Sequence, residues 1–363
     1  MKKIKICCVI PSLQAGGMER VMSILVDQFT LNPQLEIHLI LYGSQRGIFY
    51  PISSKVFVHQ PAFRFNLNRR FLSTIRTSFF LRRIINRIKP SSVLSFGEYW
   101  NSLLLISLLW SGQNVFISDR CQPDKSYSPL HAILRFLLYP TSKGIISQTQ
   151  VASDIYYKKF KHPNIRVIGN PISMIRSSNQ NLQKRENIIL SVGRLISSKN
   201  HDRLIKIFAN VCFDDWKLVI VGGDSLKQQN SVKLRQLVSD LGLNNRIEIA
   251  GEQKNVAEYY LKSKIFAFSS SSEGFPNVVG EALSAGLPVV AYDCIAGPSE
   301  MIAEGENGFL ITVYDDDAFA EKLLLLMKDE EKLVSMSEKA VLSVEKFSEN
   351  MISQQFLSFI TEV

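Results

Sequence analysis

Cysteine is scarce in this chain: 5 residues in 363, at Cys7, Cys8, Cys121, Cys212 and Cys294. The count is odd and no two are spaced as CxxC, which supports neither a disulfide framework nor a zinc site. They read as buried thiols of a reducing cytoplasm. Long apolar runs are also missing. The greasiest window, residues 103–110, falls far short of the ~20 residues that a membrane-spanning helix needs. Lys2, Lys3 and Lys5 ahead of the apolar residues 6–10 imitate a signal peptide, but the run is short and stops at Pro11-Ser12 before a Gly-Gly turn, so a first strand is expected there. No GxGxxG follows a strand, and no glycine loop ends in the Lys-Ser/Thr of a P-loop. Asp315–Asp317 is an acidic run that reads as a solvated helix end.

What the sequence has is the composition of an ordinary folded protein, with 46% hydrophobic and 21% charged residues. Single cores stop growing at about 250–300 residues, so 363 residues predict two domains. The net charge of +9 asks for an anionic partner, and it is unevenly spread. Residues 1–172 hold 22 Lys+Arg against 7 Asp+Glu, net +15, while residues 173–363 hold 20 against 26, net −6. The partner of that excess therefore belongs to the first half. A boundary is expected near Asn170-Pro171-Ile172, where a proline and a polar run from 176 to 186 interrupt the pattern.

Short β-rich runs recur at 4–10, 36–41, 93–96, 114–117 and 144–147, and again at 188–192, 216–221, 247–250, 265–269 and 288–291. Helical stretches lie between most of them, including 19–30, 202–212, 231–241 and 281–285. Strands alternating with helices imply βαβ units and parallel sheets, so the fold class is α/β with two doubly wound domains in tandem, 1–172 and 173–345. Residues 346–363 are expected to form a terminal helix, and 351–363 to cross back to the first domain. In such sheets ligands bind beyond the carboxyl ends of the strands, which directs attention to the loops after residues 10, 117, 192, 221 and 269.

Gly16-Gly17 follows the first strand and opens a helix, where a backbone without side chains lets an anion approach unpaired N–H groups. A plain tight turn is the competing reading. Arg194 and Lys199 lie five residues apart after the strand at 188–192, spaced to close on a diphosphate, the arginine by its fork and the lysine as a point charge. After residue 269 the sequence is Ser271-Ser272-Glu273-Gly274-Phe275-Pro276-Asn277-Val278-Val279-Gly280-Glu281. Glu273 on the loop and Glu281 within the helix suit a polyhydroxylated ligand, since carboxylates only accept hydrogen bonds. Each element alone is weak; together, in this order, they are specific.

Gly16-Gly17, Gly193-Arg194 with Lys199, and the stretch from Glu273 to Glu281 resemble the family 4 retaining glycosyltransferases, and the resemblance spans nearly the whole chain. It implies the GT-B fold, two Rossmann-like domains facing across a cleft, with the nucleotide sugar bound mainly by the second domain and the acceptor by the first. By the same resemblance Arg194 and Lys199 hold the donor diphosphate and assist its departure. Glu281 binds the ribose; Glu273, Gly274, Phe275, Pro276, Asn277 and Val278 bind the donor sugar, and Gly16 and Gly17 lie beside the reacting centre. A UDP-linked hexose or N-acetylhexosamine is the donor implied, no metal or other cofactor is expected, and the acceptor is a polyprenyl-diphosphate-linked or lipopolysaccharide-type glycan of the O-antigen or capsule kind. Many relatives carry a histidine where this chain has Ser118-Asp119-Arg120-Cys121. Asp119 and Arg120 keep two readings, a donor or acceptor contact and a structural ion pair. His131, His162 and His201 carry no motif and read as structural.

Residues 64–89 hold eight Lys+Arg and no acid. At 100° per residue Arg69, Arg76, Arg83 and Arg87 share one stripe, with Phe71, Ile75, Leu81 and Ile85 roughly opposite. A basic amphipathic helix fits an anionic membrane surface. That leads to an enzyme peripheral to the inner face of the cytoplasmic membrane. Two rivals remain open, a nucleotide-sugar epimerase or hydrolase on the same fold and a nucleic-acid-binding protein using the basic half.

Overall fold

The structure is a computed structural model that describes residues 3–175, 182–211, 215–224 and 229–362. Cys212 and most of the polar run from 176 lie outside these. The chain divides into two compact units, Met1–Pro171 with Glu349–Val363, and Ile172–Ser348.

The first unit is a seven-stranded sheet of β1 (Ile4–Ile10), β2 (Leu35–Leu41), β3 (Phe57–His59), β4 (Ser92–Phe96), β5 (Val115–Ser118), β6 (Gly144–Ser147) and β7 (Ile165–Val167), in the order β3-β2-β1-β4-β5-β6-β7. Every pairing is parallel. β1 reads Ile-Lys-Ile-Cys-Cys-Val-Ile and is buried from Ile6 onward, as strands covered on both faces require. Its helices are α1 (Gly17–Phe29), α2 (Arg70–Ile88), α3 (Glu98–Ser107), α4 (Pro129–Leu138), α5 (Gln150–Phe160) and the terminal helix, α13 below. Side chains of α2 to α5 share one core with the sheet, including Leu81, Leu104, Leu138 and Phe160.

The second unit orders β8 (Ile188–Val192), β9 (Lys217–Val221), β10 (Ile247–Gly251), β11 (Ile265–Phe268), β12 (Val289–Tyr292) and β13 (Gly308–Ile311) as β10-β9-β8-β11-β12-β13, again all parallel. Its helices are α6 (His201–Asn210), α7 (Asn230–Asp240), α8 (Val256–Lys262), α9 (Asn277–Ser284), α10 (Pro298–Met301), α11 (Asp316–Lys328) and α12 (Glu330–Ser343). α13 (Glu349–Thr361) then packs within the first unit: Phe356 lies 6.1 Å from Phe96 and Phe359 5.2 Å from Phe116, centroid to centroid.

The basic segment departs from expectation. Arg69 stands outside α2, as the last residue of a 3-10 turn and the helix's N-cap. The buried stripe of α2 is Ser73, Thr77, Leu81, Ile85 and Ile88, whereas Phe71 and Ile75 are exposed. Its first half turns hydroxyls inward and aromatics outward: Ser73 Oγ accepts from Asn66 N at 3.0 Å, and Thr77 Oγ1 donates to Ser73 O at 2.8 Å. Small hydroxyl side chains that bond local backbone can be buried at low cost, so burial here does not follow apolarity.

Candidate functional site

The loops after β8, β9, β11 and β12 meet at the carboxyl end of the second sheet. β8 ends at Val192, and Gly193 N donates to Val221 O at 2.9 Å. Gly222 lies against this turn so closely that a Cβ there would collide with the Gly193 carbonyl. Leu195 N then donates to Gly223 O at 2.9 Å, which fixes the stretch on either side of Arg194. The Arg194 side chain is exposed and has no ion-pair or hydrogen-bond partner among the described residues. It is a free guanidinium fork on a fixed backbone.

Lys199 ends a short 3-10 turn, Ser197–Lys199, and Asn200 takes the left-handed conformation (φ 50°) that starts α6. The turn is tied to the loop after β11 by a run of serines. Ser269 Oγ donates to Lys199 O at 2.8 Å, Ser270 Oγ to Ser198 O at 3.2 Å, and Ser271 N to Ser198 O at 2.9 Å. Asn200 Nδ2 returns a bond to Ser269 O at 2.9 Å. The result brings Lys199 Nζ onto Glu273 Oε1 as an ion pair. His201 is buried below; burial, then the Lys199 cation, pull its pKa down to about 4, so the ring is neutral. Its structural assignment holds in the sense that it touches the backbone of Gly193 and Arg194 and is shut away from solvent.

Glu281 sits in α9, 6% exposed, with its Oε2 accepting from Tyr260 Oη at 3.1 Å. A carboxylate that buried needs donors, and Tyr260 of α8 supplies one. Phe275 is buried, its ring 5.6 Å from Phe347. The amide of Asn277 donates to Phe275 O at 3.0 Å and that of Val279 to Pro276 O at 2.9 Å, so the turn spends both on itself. Gly297, after β12, has φ 124°, and a Cβ there would collide with Pro276 Cδ. Cys294 in the same loop has its thiol pushed up to about 12, first by burial and then by the charge of Glu273. A cavity of about 450 Å³ in this unit, lined by Lys217, Arg235 and Arg246, opens at the opposite, amino-terminal ends of β9 and β10 and takes no part here.

In the first unit Gly16 N lies 3.2 Å from Tyr50 Oη, and Gly16 O accepts from Arg20 N at 3.0 Å. Asp119 realises the structural reading. Its Oδ1 accepts from Asn101 Nδ2 at 3.0 Å and Tyr139 Oη at 2.7 Å, and its Oδ2 is ion-paired with Arg135, 1% exposed. Arg120 differs: Nη1 donates to Asn170 Oδ1 at 2.6 Å and the guanidinium lies 3.7 Å from the centroid of Phe96, while Nε and Nη2 find no partner among the described residues. Burial lowers its pKa to about 9. His162 is structural, its Nδ1 accepting from Asn164 N at 3.0 Å; the His131 ring lies tilted, 4.6 Å from that of Tyr99. Arg76, Arg83 and Arg87 are exposed on α2. No helix among the described residues is long and apolar enough to cross a membrane.

Sequence reading missed the serine run, Tyr260, Gly222 and the Gly297 loop. Only Gly222 had a visible signal, a glycine pair directly after a buried strand.

Residues 175–342 match the family model described as glycosyl transferases group 1. The amylovoran biosynthesis glycosyltransferase AmsD of Erwinia amylovora is 29% identical over 87% of this chain and 88% of its own length. The N-acetylgalactosamine-N,N'-diacetylbacillosaminyl-diphospho-undecaprenol 4-alpha-N-acetylgalactosaminyltransferase of Campylobacter jejuni is 26% identical over 98% of this chain and 99% of its own. Among solved structures, Anabaena HepE in complex with UDP superposes with a TM-score of 0.81 at 18% identity, covering 99% of this chain and 100% of that one. Residues 175–342 carry the glycosyl transferases group 1 match, and the chain is a glycosyltransferase.

Proposed function

We propose that this glycosyltransferase moves a hexose or N-acetylhexosamine from a UDP-sugar to a glycan carried on a polyprenyl diphosphate or a lipopolysaccharide core, with retention of configuration, in O-antigen, capsule or related polysaccharide assembly at the inner face of the cytoplasmic membrane. The observation that carries the donor half is that exposed Arg194 and the Lys199–Glu273 pair, on loops, and buried Glu281, in α9, all follow strands at one end of the second sheet. Relatives that act in amylovoran biosynthesis and on diphospho-undecaprenol glycans support the acceptor half.

In this reading the arriving diphosphate competes with Glu273 for Lys199. The lysine and the Arg194 fork then neutralise the leaving group, which is the dominant catalytic term, and no metal is assigned. Glu273, released, accepts from sugar hydroxyls, and Glu281 holds the ribose with its second oxygen steadied by Tyr260. The bond from C1 to the diphosphate oxygen breaks as the acceptor oxygen bonds C1 on the same face, and the acceptor proton passes to the departing phosphate. Arg120 is assigned to a phosphate or hydroxyl, since a guanidinium cannot serve as a neutral base. Arg76, Arg83 and Arg87, with Arg69 at the helix start, attract the anionic surface and the acceptor diphosphate.

Incubation with labelled UDP-sugars, with and without membrane lipid extract, tests this. Label entering lipid only when extract is present is the expected result; free or epimerised sugar without extract supports the hydrolase or epimerase rival. Arg194→Ala and Glu273→Ala should each abolish transfer, and full transfer by both variants overturns the site assignment. RNA binding that persists at physiological salt while neither variant changes transfer favours the nucleic-acid reading.

A further inference from the structure

The exposed apolar surface is as lopsided as the charge. Of 26 exposed large apolar side chains among the described residues, 21 lie in the first unit and five in the second. Helix α4 is the extreme case. Leu130, Ile133 and Leu137 share one stripe at positions i, i+3 and i+7 with Phe136 beside it, and all four are 56–69% exposed. The helix's one permanent charge, Arg135, points the other way into the Asp119 ion pair, 1% exposed. An amphipathic helix in water turns its apolar stripe to the core; α4 packs only Leu134 and Leu138 inward, beside the Arg135 guanidinium, and turns four large apolar side chains outward.

We infer that the outer face of α4 inserts into the acyl boundary of an anionic bilayer, as a contact separate from the arginine face of α2. The inference rests on the reading that the acceptor is borne by lipid. Charge selects the occupant. α5 packs beside α4, with Phe160 5.4 Å from the Arg135 guanidinium, and exposes Lys158 and Lys159, with Lys161 directly after it. The half of the chain that contains both helices is net +15. A two-fold contact with a second copy would set these cations against themselves, since such an interface pairs a patch with its own image. An anionic membrane instead meets apolar carbon with acyl chains and lysines with headgroups. At ten residues, about 15 Å, α4 lies along the interface and does not cross it.

The full chain is tested by flotation with vesicles of phosphatidylcholine containing phosphatidylglycerol. The double variant Ile133→Ser/Leu137→Ser should lose partition about tenfold or more, with an unchanged circular dichroism spectrum and an unchanged thermal shift on adding UDP. A Leu130→Trp variant should show blue-shifted emission and quenching by brominated lipid. Undiminished flotation of the double variant, or emission from the introduced indole that stays that of a water-exposed one, overturns the inference. So does a wild-type dimer in sedimentation equilibrium that the double variant abolishes. Transfer to a water-soluble short-chain diphosphate acceptor separates the two ideas. If it proceeds while the double variant floats normally, α4 fails alone; if it never proceeds while α4 inserts, the acceptor reading fails.

Discussion

Lys199 and Glu273 are ion-paired across two loops, with side chains only 16% and 14% exposed. Each therefore occupies the other in the absence of a ligand, and the site holds its main cation in reserve. Lys199→Ala should lower kcat/KM by about 10²–10³ through loss of leaving-group stabilisation. Glu273→Gln frees the lysine, so UDP alone should bind more tightly to that variant while sugar transfer falls. Calorimetric titration with UDP beside steady-state kinetics checks this; weaker UDP binding to Glu273→Gln would contradict the exchange of partners.

His201 sets an acid limit on stability. Its folded pKa of about 4 lies below the ordinary 6.5, so between those values the unfolded chain binds a proton that the folded chain refuses. The stability it contributes is complete above pH 6.5 and is lost as the pH falls towards 4, by about 3 kcal/mol in all. Urea unfolding from pH 7 to 4 should show that slope, and His201→Gln should flatten it.

Glu281→Gln should raise the donor KM about ten- to a hundredfold and leave kcat within a few-fold, because the ribose contact proposed for it would serve ground and transition states alike. Tyr260→Phe should shift KM the same way by a smaller factor. A fall in kcat at constant KM would place Glu281 in the chemical step instead.

Gly222→Ala should cost about 1–3 kcal/mol, because the new Cβ drives the β9 loop away from the Gly193 carbonyl. Leu195 N bonds Gly223 O in that loop, so the shift reaches the backbone beside Arg194, and transfer should drop more than stability alone explains. Urea midpoints and initial rates measured below the unfolding transition separate the two effects.

Asp119→Asn should destabilise by about 3–5 kcal/mol, because it leaves Arg135 buried without its anion. Donor KM on the folded fraction should stay unchanged. Thermal unfolding paired with kinetics distinguishes this from a ligand contact.

Most strands of both sheets were legible in the sequence because a buried parallel strand is a nearly continuous apolar run. β3, β7 and β13 were not: the first two are three-residue edge strands, and β13 opens on Gly308. The candidate site was legible in its charged residues, since Arg194, Lys199 and Glu273 fall on loops after strands and Glu281 in the helix that follows. Its scaffold was not, because bonds from Ser269 and Ser270 to distant carbonyls leave no spacing in the chain. α2 misled for a related reason. Periodicity tracks apolar residues, and this helix buries Ser73 and Thr77 while exposing Phe71.

α13 gives the first unit an unusual birth order. Phe356 and Phe359 complete the packing around Phe96, Phe116 and Gly144, yet the ribosome delivers them only after all of Ile172–Ser348. During synthesis the second unit is whole while the first still lacks a helix, the reverse of the usual amino-to-carboxyl sequence of domain folding. A nascent chain stalled before residue 349 would carry a finished second unit and an unsealed basic first unit.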